Sequence, residues 1–300
     1  MLGGGGPGTV SGQTHAVPVL LSPGQGSQSA GLLAPWLDLS GARESIGRWS
    51  ALTDLDLLEL GTTAPAEVVR RTEVAQPLLT ALALLSGRSI LDGEHPDLVC
   101  GHSVGELSAA ALAGILTDDE AVQLAAVRGH LMAQACDVAP TGMAAVLGAA
   151  PSEEQVRAAG LEIATVNAPG QVVVGGPVEA IEAFAPAGAR VRRLAVAGAF
   201  HTAAMQPAVN GLTEAVAALK PASAVCPVVA NADGALVTGG RELLDRFVLQ
   251  LTNPVRFDLC LAALPELPVV ELAPAGTLTG LVKRARPDLG VTGVGVPVSA

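Results

Sequence analysis

The sequence has no tyrosine, two tryptophans, four phenylalanines and only two lysines, Lys220 and Lys283. So few aromatic rings leave no stacking platform for bases, and a formal net charge of −11 opposes a phosphate backbone, which together exclude nucleic-acid binding. The positive charge is almost all arginine, whose planar fork grips carboxylates and phosphates in a fixed geometry that lysine does not offer. The four cysteines, Cys100, Cys136, Cys226 and Cys260, are widely spaced, with no CxxC pair and no clustered histidines. That argues against a zinc site and a disulfide framework, and for reduced thiols in the cytoplasm. Although half of the residues are hydrophobic, Gly, Pro, Gln, Asp or Arg break every apolar run before the roughly 18 residues needed to cross a bilayer. The opening MLGGGGPGTVSGQTHA lacks the basic start and apolar block of a secretory signal, so residues 1–16 read as a flexible extension. A soluble protein with one large domain, or a large one carrying a smaller, is expected.

What is present is a rhythm. From about residue 17, VPVLLS runs into PGQGSQ and DLVC into GHSVGELSAAALAGIL, an alternation of strand, glycine turn and helix that indicates an α/β fold with a mainly parallel sheet. Thr117 followed three residues later by Glu120 forms a capping box, so a helix should begin near Asp118. Between about 140 and 200 the rhythm changes: MAAVLGA, PSEEQVRAAG, EIATVNA, QVVVGG, PVEAIEAFAPAG and RVRRLAVAG read as β-α-β-β-α-β, the ferredoxin-like order. The expected division is therefore residues 17–139 with 201–300 as the body, and residues 140–200 as an inserted small subdomain lying over its sheet. After 201 the α/β pattern resumes, with a helix expected over roughly 241–250.

The strand leading into GHSVG and the apolar helix leaving it make Ser103 a candidate nucleophile on a sharp strand-to-helix turn. A serine hydroxyl needs a base within hydrogen-bond reach. Of the five histidines, His15 lies in the glycine-rich start, His95 in the turn-like DGEHPD, and His130 inside the helix after Thr117. His102 adjoins Ser103, where side chains at a tight turn diverge. His201 stands where the small subdomain returns to the body and is the best-placed candidate. Arg128 is a lone cation among apolar residues, and a buried guanidinium requires an anionic partner. From the residues alone, that partner is either a structural Asp or Glu or a substrate carboxylate. Asp233, Asp245 and Asp258 are each conceivable orienters of the imidazole.

The stretches SPGQGSQ, AQPLL, GHSVGE, VRGHLM, GAFH and TLTGL, in this order from about residue 17 to 290, resemble malonyl-CoA:acyl carrier protein transacylases and the acyltransferase domains of polyketide synthases. The chain departs from that pattern at Ala273 and Ala275, in a stretch usually richer in glycine. The resemblance implies an α/β-hydrolase-like large subdomain plus the inserted ferredoxin-like one. It implies Ser103 as nucleophile, His201 as base, and an oxyanion hole from the backbone amides of Gln25 and Val104. It further implies that Arg128 forks onto the malonyl carboxylate and that the main-chain carbonyl of Gln250, rather than a carboxylate, holds the His201 ring. Asn167 and Gln171 match polar residues lining the family's cleft. Phe200 before the histidine resembles the malonyl-selecting form of the motif, not the form with serine that goes with methylmalonyl.

The implied activity is ping-pong transfer of malonyl from malonyl-CoA to the phosphopantetheine thiol of acyl carrier protein, in fatty-acid or polyketide chain extension. Malonyl-CoA and the carrier protein are then substrates, with no metal, redox or other cofactor, no nucleic acid and no membrane, and a cytoplasmic monomer is expected. Arg190, Arg192, Arg193, Lys283, Arg284 and Arg286 are candidates for contact with an acidic carrier. Two other readings share the serine: an esterase or thioesterase, which would not need Arg128, and a catalytically silent carrier-docking module.

Overall fold

Short apolar runs ended by glycine or proline become short strands buried by pairing on both sides, as a sheet covered on both faces requires. A computed structural model describes residues 18–297; the expected extension 1–16, with His15, lies outside the described residues. In chain order the strands are β1 (Val19–Ser22), β2 (Val99–Gly101), β3 (Thr141–Gly148), β4 (Glu162–Ala168), β5 (Gln171–Pro177), β6 (Ala189–Arg193), β7 (Val228–Val229), β8 (Leu236–Val237), β9 (Val255–Arg256), β10 (Val269–Glu271) and β11 (Val291–Gly293). The larger sheet runs β11-β10-β1-β2-β7-β8 and is parallel except for the β7–β8 pair.

The smaller sheet runs β6-β3-β5-β4-β9. With helices Glu153–Ala158 and Val178–Ala183, its first four strands follow the β-α-β-β-α-β order and pair antiparallel. Two features differ from the sequence reading. Strand β9, from the chain after the return to the body, adds to β4 in parallel and ties the two sheets' chains together. Strand β6 stops at Arg193 instead of continuing to Gly198: it is an edge strand, the Leu194 N–H makes one further bond to Met143 O at 2.9 Å, and Leu194 and Val196 then line a cleft instead of a sheet face.

Helix Asp118–Cys136 begins with the expected capping box, Glu120 N–H donating to Thr117 Oγ1 at 3.1 Å and Thr117 N–H to Glu120 Oε2 at 2.8 Å. It packs against helix Thr72–Leu91. At that crossing a Cβ on Gly129 would come within 2.8 Å of Thr72 O, so only glycine lets the helices approach closely enough to set Arg128 beside Gln76. Thr72–Leu91 is the one described helix long and apolar enough to span a bilayer, and 78% of its most apolar window is buried in the fold. The other expected helix, near 241–250, is Gly240–Leu249.

Candidate active site

Strand β2 ends at Gly101 and helix Gly105–Leu112 begins two residues after Ser103. Turning that sharply forces Ser103 into the left-handed region, φ 54°. The two flanking glycines are steric necessities: a Cβ on Gly101 would come within 2.0 Å of Gly105 C, and one on Gly105 within 2.3 Å of Ser22 O. The strained backbone is pinned by the Ser103 N–H donating to Asn231 Oδ1 at 2.7 Å, while Asn231 Nδ2 donates to Gly101 O at 2.5 Å. The hydroxyl thus stands at the positive end of the helix, where negative charge is favoured.

Across the cleft, His201 also has positive φ, 61°. Its Nε2 lies 2.8 Å from Ser103 Oγ, and its Nδ1 lies 2.8 Å from the main-chain oxygen of Gln250. A carbonyl only accepts, so the proton sits on Nδ1 and Nε2 is the free base that accepts from the serine hydroxyl. Burial, and then the nearby charge of Arg128, push His201 down to about 3, which keeps the ring neutral, with Nε2 unprotonated, over the whole physiological range. The three aspartates considered as orienters lie elsewhere: Asp233 pairs with Arg246, Asp258 with Arg256, and Asp245 is exposed. His95 is exposed, and exposed His130 bonds Gln134. His102 turns away from Ser103 onto Asn167 Oδ1 at 2.8 Å and against the Phe257 ring.

Arg128 is 1% exposed. Its Nη1 donates to Gln76 Oε1 and its Nη2 to Gln250 Oε1, both at 2.9 Å, and Nη2 also lies 3.4 Å from Ser103 Oγ. The guanidinium carbon sits 5.0 Å from the Phe247 ring centroid. Among the described residues no carboxylate lies within ion-pair distance of it, and Nε has no acceptor. Neutral amide oxygens therefore hold a buried cation beside the Ser103 hydroxyl. Burial lowers it to about 10, leaving it charged at neutral pH.

These groups line a cleft of about 150 Å³ with Gln25, Met132, Met143, Thr165, Asn167, Val173, Leu194, Val196 and Phe200. Phe200 is 6% exposed and presents its ring to that space. Among the described residues the backbone N–H groups of Gln25 and Val104 have no acceptor, as an oxyanion hole requires. Gln171 does not line the cleft. It sits at the start of β5 with its amide oxygen on Arg284, because the turn before it swings its side chain toward the C-terminal helix Thr277–Ala285. Gln76, Glu106, Asn231 and the side chain of Gln250 were not singled out from the sequence. The first two lie inside the AQPLL and GHSVGE stretches, so their motifs were visible although their contacts were not.

A family model described as acyl transferase domain matches residues 19–289. The chain belongs to the acyl transferase domain family. It is 49% identical over 278 residues to the malonyl CoA-acyl carrier protein transacylase of Mycobacterium tuberculosis, covering 88% of this chain and 92% of that one. The Escherichia coli K12 protein of the same name is 35% identical over 282 residues, covering 87% and 90%. Among solved structures, MCAT from Mycobacterium tuberculosis superposes with a TM-score of 0.88 at 46% identity over 92% of this chain and 95% of that one. A malonyl-transacylase solved with its type II polyketide acyl-carrier protein superposes with a TM-score of 0.83 at 31% identity, covering 92% and 95%. In this acyltransferase Ser103, His201 and Arg128 come from three separate elements and meet within hydrogen-bond reach of one hydroxyl.

Proposed function

We propose that the chain transfers malonyl from malonyl-CoA to the phosphopantetheine thiol of acyl carrier protein through a malonyl-Ser103 ester, supplying chain extension in fatty-acid synthesis. The observation that carries this reading is Arg128: a buried guanidinium without a protein carboxylate, 3.4 Å from the nucleophile's oxygen. Malonyl separates its free carboxylate from the thioester carbonyl by one methylene, so an acyl group on Ser103 Oγ holds that carboxylate where the fork can take it. An esterase has no use for such a cation.

The chemistry runs in two symmetrical halves. Ser103 Oγ adds to the thioester carbonyl as its proton passes to His201 Nε2, and the oxyanion is taken by the Gln25 and Val104 amides. The C–S bond breaks, the thiolate of coenzyme A leaves with the proton from His201, and the ester remains. The carrier's thiol then gives its proton to His201 and adds to the ester carbonyl; Ser103 leaves and recovers the proton. Pairing of the malonyl carboxylate with Arg128 cancels the charge that depresses His201, so the base gains proton affinity once the correct substrate is bound. Phe200 fills the room an α-methyl group would need, a discrimination worth about 1–3 kcal/mol.

No metal or redox group takes part in this scheme. The proposal extends to a small lid over residues 140–200, a cytoplasmic monomer with its free thiols reduced, and carrier docking at exposed Arg190, Arg192 and Lys283. Intact mass after mixing with malonyl-CoA tests the class. A malonyl gain that Ser103→Ala abolishes supports it; free malonate formed with no adduct, and no transfer to carrier, sinks it in favour of a hydrolase.

A further inference from the structure

Glu106 closes the GHSVGE motif, and the transfer chemistry gives it no part. It is 3% exposed, in the first turn of helix Gly105–Leu112, and does not line the cleft. Its Oε1 accepts from the Asn231 N–H at 2.6 Å and its Oε2 from Gln250 Nε2 at 2.6 Å. Burial raises the carboxyl's proton affinity, while the Asn231 N–H and the Arg128 charge pull the other way and favour the anion. A proton on either oxygen would face a donor, so this arrangement is that of the carboxylate.

The side-chain amide of Gln250 connects this carboxylate to the cleft. Its oxygen accepts from Arg128 Nη2 at 2.9 Å while its nitrogen donates to Glu106 and, at 3.1 Å, to Asn231 Oδ1. A guanidinium only donates and a carboxylate only accepts, so one amide orientation satisfies both. The reversed amide would set NH₂ against the guanidinium and C=O against the carboxylate. A carboxylate bonded directly to Arg128 would occupy the fork that the acyl carboxylate needs. One placed a single amide away offsets part of the cost of burying the cation and leaves the fork open.

We propose that Glu106 is a positioning residue for acyl selection, fixing Arg128 through the Gln250 amide in the pose that receives the carboxylate of the acyl group. The inference rests on the malonyl reading of Arg128. Glutamine at 106 nearly preserves the shape but brings its NH₂ against that of Gln250. Relieving that clash reverses the Gln250 amide, and the guanidinium loses its acceptor. Aspartate is shorter yet remains an acceptor-only anion. A packing role therefore favours glutamine over aspartate, and a positioning role favours aspartate over glutamine.

The test compares wild type, Glu106→Gln and Glu106→Asp in malonyl transfer and in p-nitrophenyl acetate turnover at Ser103, an acylation that needs no carboxylate clamp. Loss of one buried charged hydrogen bond predicts that Glu106→Gln raises KM for malonyl-CoA about tenfold or more, with p-nitrophenolate release held within about threefold. Glu106→Asp should lie closer to wild type than Glu106→Gln in that KM. Equal losses in both assays, an unchanged KM, or a larger malonyl defect in Glu106→Asp overturns the role. If Glu106→Gln does not fold, Gln250→Met, which removes the amide and keeps the main-chain carbonyl, must raise the malonyl-CoA KM; an unchanged KM, or failure of that protein to fold as well, overturns the proposal. Wild-type protein that takes no malonyl at all overturns the underlying reading instead, and this inference falls with it.

Discussion

On the body side of the cleft, Ser103, His201 and Arg128 are 7%, 4% and 1% exposed, and each is held by at least two hydrogen bonds to other buried groups. On the small-sheet side the pattern is sparse: Asn167 makes one side-chain contact, to His102, and Thr165 Oγ1 has no partner. Val173, Leu194 and Val196 contribute only apolar surface there. A charge that develops in a transition state is stabilised most by dipoles already in place, so the densely bonded wall is the one suited to bond making and breaking. The loosely bonded wall, mostly apolar, is suited to shaping the space around a substrate rather than to stabilising charge.

If the two walls divide the work in this way, substitutions on them should separate widely in size. His201→Ala removes the base and should slow Ser103 acylation by about 10²- to 10⁴-fold, measured as p-nitrophenolate release. Arg128→Ala leaves an acyl carboxylate buried without its partner, costing about 2–5 kcal/mol in kcat/KM for malonyl-CoA and much less for an uncharged ester. The same variant removes a charge that depresses His201. In wild type, acylation by p-nitrophenyl acetate should therefore stay level as pH falls below about 6.5, the ordinary histidine value, and in Arg128→Ala the decline should set in at higher pH than in wild type.

Asn167→Ala, on the sparse wall, removes one hydrogen bond to His102 and should lower malonyl transfer by about 3- to 10-fold. Gln171→Ala breaks only the contact with exposed Arg284 and should leave kcat/KM within about twofold of wild type. A loss at Gln171 as large as that at Asn167 would put the cleft's boundary in the wrong place.

The same contrast explains what could be read from the sequence. Features set by near neighbours were legible: the two glycines that permit φ 54° at Ser103, and the Thr117–Glu120 capping box. Arg128 was legible as an anomaly, a cation in an apolar helix, although its partners were not. Those partners are distant in sequence: Ser103 meets Asn231 across 128 positions and Gln250 meets Glu106 across 144. No local pattern encodes which polar side chains of a core will meet, since Asn, Gln and Glu satisfy themselves in many ways until packing decides. Strand β9 was invisible for a related reason, because two residues carry no periodicity. Gln171 shows the opposite error: a polar residue in a turn beside the site was read as facing it, and the turn points it toward Arg284.

The central claim is that a buried guanidinium beside Ser103 selects an acyl group by its free carboxylate. Intact mass after exposure to equal amounts of malonyl-CoA and acetyl-CoA tests it most directly, with wild type and Arg128→Ala side by side. The account predicts a malonyl adduct on wild type and, on Arg128→Ala, a shift toward acetyl or no adduct. Arg128→Ala that carries malonyl as fully and as selectively as wild type would contradict it.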